Sequence, residues 1–169
     1  MDEASGIVVR AATVDDAGNL GRLLDEFATE FDDPTVGPVD LGRRAVALIA
    51  TDQAVFLLGS LDDADTPCGL VQLRFRLSVW SDRLDAYLED LFVQPSSRRR
   101  GVGSALLLYA ERYALERGAA YMEIAVYEGD RDAVALYLSH GFRHWEEADA
   151  ALPLETRPRY LYFLKTLAS

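Results

Sequence analysis

The sequence predicts a single mixed α/β (α+β) domain, with strands and helices interleaved. Three observations carry this. Its 169 residues suit one domain with one sizeable core, and half are hydrophobic, which excludes a disordered chain. Runs that alternate with period 2 are interleaved with runs at helical spacing. The stretch from Leu84 to Glu116 passes from a strand through a basic glycine turn, Arg98-Arg99-Arg100-Gly101-Val102-Gly103, into a helix beginning near Val102. No internal repeat, low-complexity tract or linker interrupts the chain.

Taken in order, residues 6–13 read as a first strand. Thr13 with Asp15 and Asp16 is a helix start, and Leu20, Leu23, Leu24 and Phe27 recur at helical spacing to about Phe31. Residues 32–38 form a loop by composition, and a second helix runs from about Asp40 to Ala50. Residues 54–61 are a strand and 62–67 a turn. From Cys68 to about Trp80, Leu73, Phe75, Leu77 and Val79 alternate with Gln72, Arg74, Arg76 and Ser78, as in a long strand. The central strand, Ala86 to Val93, follows. Period 2 puts Tyr87, Glu89, Leu91 and Val93 on one face and Leu88, Asp90 and Phe92 on the other. After the glycine turn, the helix ends at Arg117-Gly118. Ala119 to Tyr127 is a strand, and Asp130 caps a helix with Ala133, Leu136, Tyr137 and His140 on one face. Gly141 ends it, residues 142–146 start a strand, 148–158 are a loop, and 159–167 a last strand.

Composition narrows the function. The formal net charge of −11 argues against nonspecific nucleic-acid binding and weakly favours cationic substrates. Against it stand three consecutive arginines, 98 to 100. One cysteine, Cys68, allows no internal disulfide and reads as packing. The acidic start, Met1 to Ser5, lacks signal-peptide character, and no apolar run approaches the roughly 18 residues of a membrane span. The cytoplasm is the expected compartment, with no membrane partner. No metal site is expected: His140 and His144 are four apart, but Gly141 breaks the helix that would align them. No G-x-S-x-G elbow occurs.

Two constellations carry chemistry. The first is the basic turn. The opening N–H groups of a helix have no partner within it, and the helix dipole adds partial positive charge there. Gly101 and Gly103 let an anion approach without a Cβ in the way. The turn therefore reads as a site for a phosphorylated cofactor. A Walker loop would need Lys-Ser/Thr after Gly103, where Ser104-Ala105 stands, and a dinucleotide fingerprint would need a small residue where Leu106 stands. The second is Glu89-Asp90: two adjacent carboxylates in a core strand are costly unless each has a task, and burial would raise a carboxylate toward the range of a general base.

Val93-x-Pro95 followed by R-x-x-G-x-G resembles the coenzyme A-binding motif of the GNAT superfamily of acyl-CoA-dependent N-acyltransferases. Downstream, Asp130-x-x-Ala133-x-x-Leu136-Tyr137-x-x-x-Gly141-Phe142 resembles the family's N-x-x-A-x-x-L-Y-x-x-x-G-F. Aspartate at 130 keeps the cap but loses the amide donor. Together the motifs cover about residues 86–142. The resemblance implies a GNAT-like, mixed, mostly antiparallel sheet of six or seven strands flanked by about four helices, with the central strand and the next splayed apart.

It also implies residue roles. Free main-chain groups of the Leu91-Phe92-Val93 segment would bind pantetheine. Arg98, Arg99, Arg100, Gly101, Val102, Gly103 and Ser104 would hold the pyrophosphate of acetyl-CoA, with Asp130 and Tyr137 also at the cofactor. Tyr137 would be the general acid, and Glu89, with Asp90 second, the base. The first two helices and their loop would wall the acceptor site, where Glu30, Asp32, Trp80 and Glu89 are candidates. Residues 69–93 also resemble the spermidine/spermine (diamine) acetyltransferases. The implied activity is acetyl transfer to a primary amine of a small, cationic acceptor. An aminoglycoside or a protein N-terminus is an alternative acceptor, and a non-catalytic acyl-CoA-binding module an alternative class. Family members are often homodimers.

Overall fold

The computed structural model describes residues 6–61, 64, 66–79, 82–145 and 160–167. Within them the elements are β1 (Ile7–Ala11), α1 (Ala17–Glu30), α2 (Pro38–Ala50), β2 (Val55–Leu61), β3 (Gly69–Leu77), β4 (Leu84–Val93), α3 (Val102–Glu116), β5 (Ala119–Tyr127), α4 (Arg131–Ser139), β6 (Arg143–Trp145) and β7 (Tyr160–Thr166), with short 3-10 turns at Val14–Asp16 and Pro95–Ser97. The expected loop at 148–158 lies outside the described residues.

The seven strands form one sheet in the order β1-β2-β3-β4-β5-β7-β6. Every neighbouring pair is antiparallel except β4 and β5, which run parallel because α3 carries the chain back across the sheet between them. This is the mixed, mostly antiparallel sheet expected from the sequence, with α1 to α4 on it.

Two hydrophobic clusters explain the layering. On one side Leu20 and Leu23 of α1 and Ala45 of α2 bury against Phe56, Leu58, Leu70 and Phe92. On the other, Val102, Leu106, Leu107 and Ala110 of α3 and Tyr137 of α4 bury against Leu57, Val71, Leu73, Leu88, Met122 and Ile124. Strands β2, β3 and β4 thus send side chains into both cores, as the two faces of a pleated strand allow.

Helix boundaries follow local chemistry. Thr13 and Asp16 form a capping box around the first 3-10 turn, and the α-helix starts only afterwards, at Ala17. Helix α2 begins two residues before the expected Asp40, because Pro38 suits a helix's first turn. Gly21 and Gly42 let α1 and α2 touch main chain to main chain. A Cβ on Gly21 would lie 1.9 Å from the Pro38 carbonyl oxygen, and one on Gly42 would lie 2.2 Å from that of Ala17.

Candidate active site

Pairing between β4 and β5 runs from Leu84↔Ala119 to Leu88↔Ile124 and goes no further. Beyond Leu88, β4 continues to Val93 against β3 alone, with Phe92 opposite Leu70 and Val93 opposite Gly69. The Gln94 N–H reaches the Cys68 carbonyl at 2.8 Å on the β3 side. Alternation along an antiparallel strand then turns the main-chain groups of Val93 and Leu91 away from β3, toward the gap. Of these, the Val93 carbonyl is occupied: the Arg98 Nε donates to it at 2.8 Å. The expectation of free groups at Val93 therefore narrows to its N–H.

The strict face assignment of the central strand needs correction. The β3–β4 register shifts between Gln72, which faces Asp90, and Leu73, which faces Leu88, so Glu89 is an extra residue on β4. This is a β-bulge, which bends a strand and re-aims its side chains. Before it Leu88 enters the α3/α4 core; after it Phe92 enters the α1/α2 core, although the two are four residues apart. Leu91 and Val93 accordingly pack on the α3/α4 side. The bulge brings Glu89 and Asp90 to the same side. Glu89 accepts from Gln72 Nε2 at 2.6 Å and pairs with Arg74, and Asp90 lies across the ladder from Gln72.

The two carboxylates sit in different environments. Glu89 is partly exposed and held by a cation and an amide. Asp90 is pushed up to about 6, first by burial and then by the Glu89 charge, with Arg74 opposing. Tyr137 stands on the opposite side of the sheet, its ring packed on Phe142 and Phe163 at centroid distances of 5.9 and 6.3 Å. Its hydroxyl pKa is raised by burial and by the charges of Asp130 and Asp90, which keeps the phenol protonated. Asp90 and Tyr137 thus flank the β4–β5 gap from its two faces.

At the end of the gap stands the basic turn. Arg99 and Gly101 both take left-handed backbone, at φ 60° and 88°. Gly101 is the N-cap of α3 and supplies no side-chain cap, and the Ala105 N–H returns to the Gly101 carbonyl at 3.0 Å. The N–H groups of Val102, Gly103 and Ser104 precede that bond and have no intrahelical acceptor. A Cβ on Gly103 would meet only Leu136 at 3.4 Å and Val93 at 3.8 Å, ordinary contacts, so packing does not demand a glycine there. Its bareness keeps the helix's first turn open, as an anion approaching those amides needs. Arg99 and Arg100 are exposed beside it.

Arg98 is tied elsewhere. Besides the Val93 carbonyl it pairs with Glu30, and its guanidinium lies 5.9 Å from the Phe92 ring centroid. Both Arg98, expected at the pyrophosphate, and Glu30, expected at the acceptor, are thus engaged with each other, clasping the end of α1 to the end of β4. Asp32 is exposed just beyond α1, at φ 56°. Trp80 lies outside the described residues. Asp130 caps α4 through the Ala133 N–H at 3.0 Å. Two partners were not foreseen, Gln72 and Arg74; their signal was present, as polar residues two apart in β3 on the face that the bulge presents to Glu89. An open groove of about 410 Å³, lined by Asp52, Gln53, Arg74, Phe75, Arg76 and Tyr87, reaches this cluster through Arg74.

The acetyltransferase (GNAT) family model matches residues 22–142, which takes in the last part of α1 from Arg22, all of α2, the splayed strands, the basic turn and α4. The chain belongs to the GNAT acetyltransferase family. A thialysine N-ε-acetyltransferase of Bos taurus is 28% identical over 152 residues, covering 85% of this chain and 88% of the relative. A solved protein from Arthrobacter sp. FB24 is 38% identical at a TM-score of 0.75, over 87% of this chain and 92% of that one. A Salmonella typhimurium protein solved with acetyl-CoA as its cofactor has the same fold, with a TM-score of 0.73, 15% identity, and coverage of 98% and 96%. Among the described residues of this GNAT chain, no helix is long and apolar enough to cross a membrane, and no group of three or more His, Cys, Asp or Glu could hold a metal ion.

Proposed function

We propose that this GNAT acetyltransferase uses acetyl-CoA to acetylate a primary amine of a small, cationic acceptor. The observation that carries the proposal is the break in β4–β5 pairing after Leu88. It leaves outward-facing main chain at Leu91 and Val93 in line with the uncapped amides of α3. Those amides, with Arg99 and Arg100, would hold the diphosphate, and the Leu91 main chain would hold the pantetheine arm, which leaves the Val93 N–H for the thioester carbonyl. Bound there, acetyl-CoA supplies an activated thioester.

The chain's own groups then divide the proton work. The acceptor comes from the Asp90 side. Asp90, whose carboxyl is raised toward the working pH, takes a proton from the ammonium and frees the nitrogen lone pair. The nitrogen attacks the thioester carbon, with the Val93 N–H polarising the carbonyl. A C–N bond forms and the C–S bond breaks; the leaving sulfur takes its proton from the Tyr137 hydroxyl, and the second proton, shed by the nitrogen as it becomes an amide, restores the Tyr137 hydroxyl. Glu89, tied to Arg74 and Gln72, fits an acceptor-positioning role better than that of base. The net charge of −11 steers cations toward the molecule. The bovine relative's name, a thialysine N-ε-acetyltransferase, supports an amine at the end of a flexible chain.

The test is thiol release from acetyl-CoA with a panel of polyamines, thialysine, lysine and aminoglycosides. Rapid release with amines on flexible chains is the expected result. Release with aminoglycosides alone would replace the acceptor class, and tight CoA binding without release under any acceptor would leave an acyl-CoA-binding module in place of an enzyme.

A further inference from the structure

The imidazole of His140 joins the two helices that the proposed chemistry needs. Its Nε2 lies 3.0 Å from the Ser104 Oγ. Ser104 is the third residue of α3, in the turn whose N–H groups have no intrahelical acceptor. His140 is the C-cap of α4, three residues after Tyr137.

The ring is carried on a fixed backbone. The His140 N–H donates to the carbonyls of Leu136 and Tyr137, both at 3.2 Å. Its carbonyl accepts from Lys165 Nζ at 2.7 Å. Lys165, from β7, also donates to Glu111 of α3 at 2.7 Å and lies 5.6 Å from the Phe142 ring centroid. The end of α4 is thereby pinned to α3 and β7, and the ring is presented to Ser104.

A hydroxyl has one hydrogen to give and lone pairs to receive. If the histidine Nε2 is bare, the Ser104 O–H is spent on it. If Nε2 carries the hydrogen, Ser104 accepts it, and its own O–H is released to donate elsewhere. An anion held by the first-turn amides selects the second arrangement, because it gains a donor.

We propose that His140 is a positioning residue: by donating from Nε2 to Ser104, it turns the Ser104 hydroxyl toward the diphosphate that the α3 amides would hold. This rests on the acetyl-CoA reading above and adds to it a residue outside both sequence motifs' fixed positions. It also gives the helix that would grip the donor a side-chain hydrogen bond to the end of the helix that carries Tyr137.

The experiment measures CoA binding by calorimetry for wild type, H140A, S104A, H140A/S104A and H140Q, and kcat/KM with acetyl-CoA and with S-acetylpantetheine, which lacks the diphosphate. Loss of one charge-assisted hydrogen bond should weaken CoA binding by about tenfold in H140A and in S104A. The double variant should be no weaker than either single one, and H140Q, which keeps a donor, should recover most of the loss. Turnover of S-acetylpantetheine should change less than about twofold. Unchanged CoA affinity in H140A, additive losses in the double variant, or equal losses with both thioesters would overturn the proposal. CoA binding with this pattern but no acetyl transfer would sink the catalytic reading and leave the inference standing. A wild type that binds no CoA would sink both.

Discussion

Asp90 lies directly across the β3–β4 ladder from Gln72, and its carboxyl is pushed up to about 6 by burial and by the neighbouring Glu89. The residue ahead of it, Glu89, has no ladder position because it is the bulge. One extra residue therefore sets two carboxylates side by side in unlike surroundings, one solvated and paired, the other desolvated. Such a divergence is how a site obtains a base at neutral pH.

A trade between activity and stability follows at Asp90. Its folded pKa stands above the ordinary 3.8, so the folded chain binds more protons than the unfolded chain between these values, and stability falls as pH rises from about 4 through about 6. The ionised group costs about 3 kcal/mol at neutral pH on this basis. D90N should therefore melt higher at pH 8, by about 1–2 kcal/mol of stability, while losing about a hundredfold in kcat/KM. E89Q should keep a rise of rate with pH, displaced below about 6 because the Glu89 charge no longer raises Asp90. Thermal melts and pH–rate profiles check both; a D90N protein of full activity removes the base.

Tyr137 tests the acid. Its ring contacts with Phe142 and Phe163 survive removal of the hydroxyl. Y137F should lower kcat by about 10²-fold while leaving CoA affinity within about twofold. Steady-state kinetics with calorimetry separates the two quantities.

Lys165 and Glu111 test the seam between α3 and β7. Side-chain exposures are 26% and 13%, and one Glu111 oxygen, Oε1, is buried without a hydrogen bond. Removing the cation strands the carboxylate, so K165M should destabilise by about 2–4 kcal/mol, at the lower end because Lys165 still reaches solvent. E111L/K165M should regain most of it, since an apolar pair needs no compensation. Denaturant titration reads the difference.

Strong acid should remove a stabilising ion pair at Asp16. The Arg10 guanidinium, donating to it at 2.7 and 2.8 Å, holds its carboxyl down at about 2, with the Thr13 N–H assisting and burial opposing. Because the folded pKa is depressed, the stabilisation is complete above the unfolded value near 4 and is lost as pH falls through about 2. Wild type and D16N should differ by about 2 kcal/mol at pH 6 and by almost nothing at pH 2 in urea melts.

Much of the fold was legible because local signals agreed with the tertiary ones. The alternation in β3, the glycines at 101, 118 and 141, and the Asp130 cap each predict what the chain does. The basic turn was legible for the same reason: strand, glycines and helix are contiguous. What was hidden depends on residues distant in sequence. The bulge at Glu89 is invisible to a period-2 count, because it arises from how β4 must bend against β3. The Arg98–Glu30 pair joins residues 68 apart, beyond the reach of any local pattern. The His140–Ser104 bond spans 36 residues and joins two helix ends, which no local pattern can pair.

Gly21 and Gly42 set a mechanical limit on the α1/α2 layer. With main chain against main chain at that crossing, neither helix can slide or rock without colliding with the other, so the two act as one stiff plate. If this layer walls the acceptor site, as the family resemblance implies, adaptation to bulkier or slimmer acceptors would fall to the strap at 31–37, which can lengthen or change sequence while the crossing stays closed.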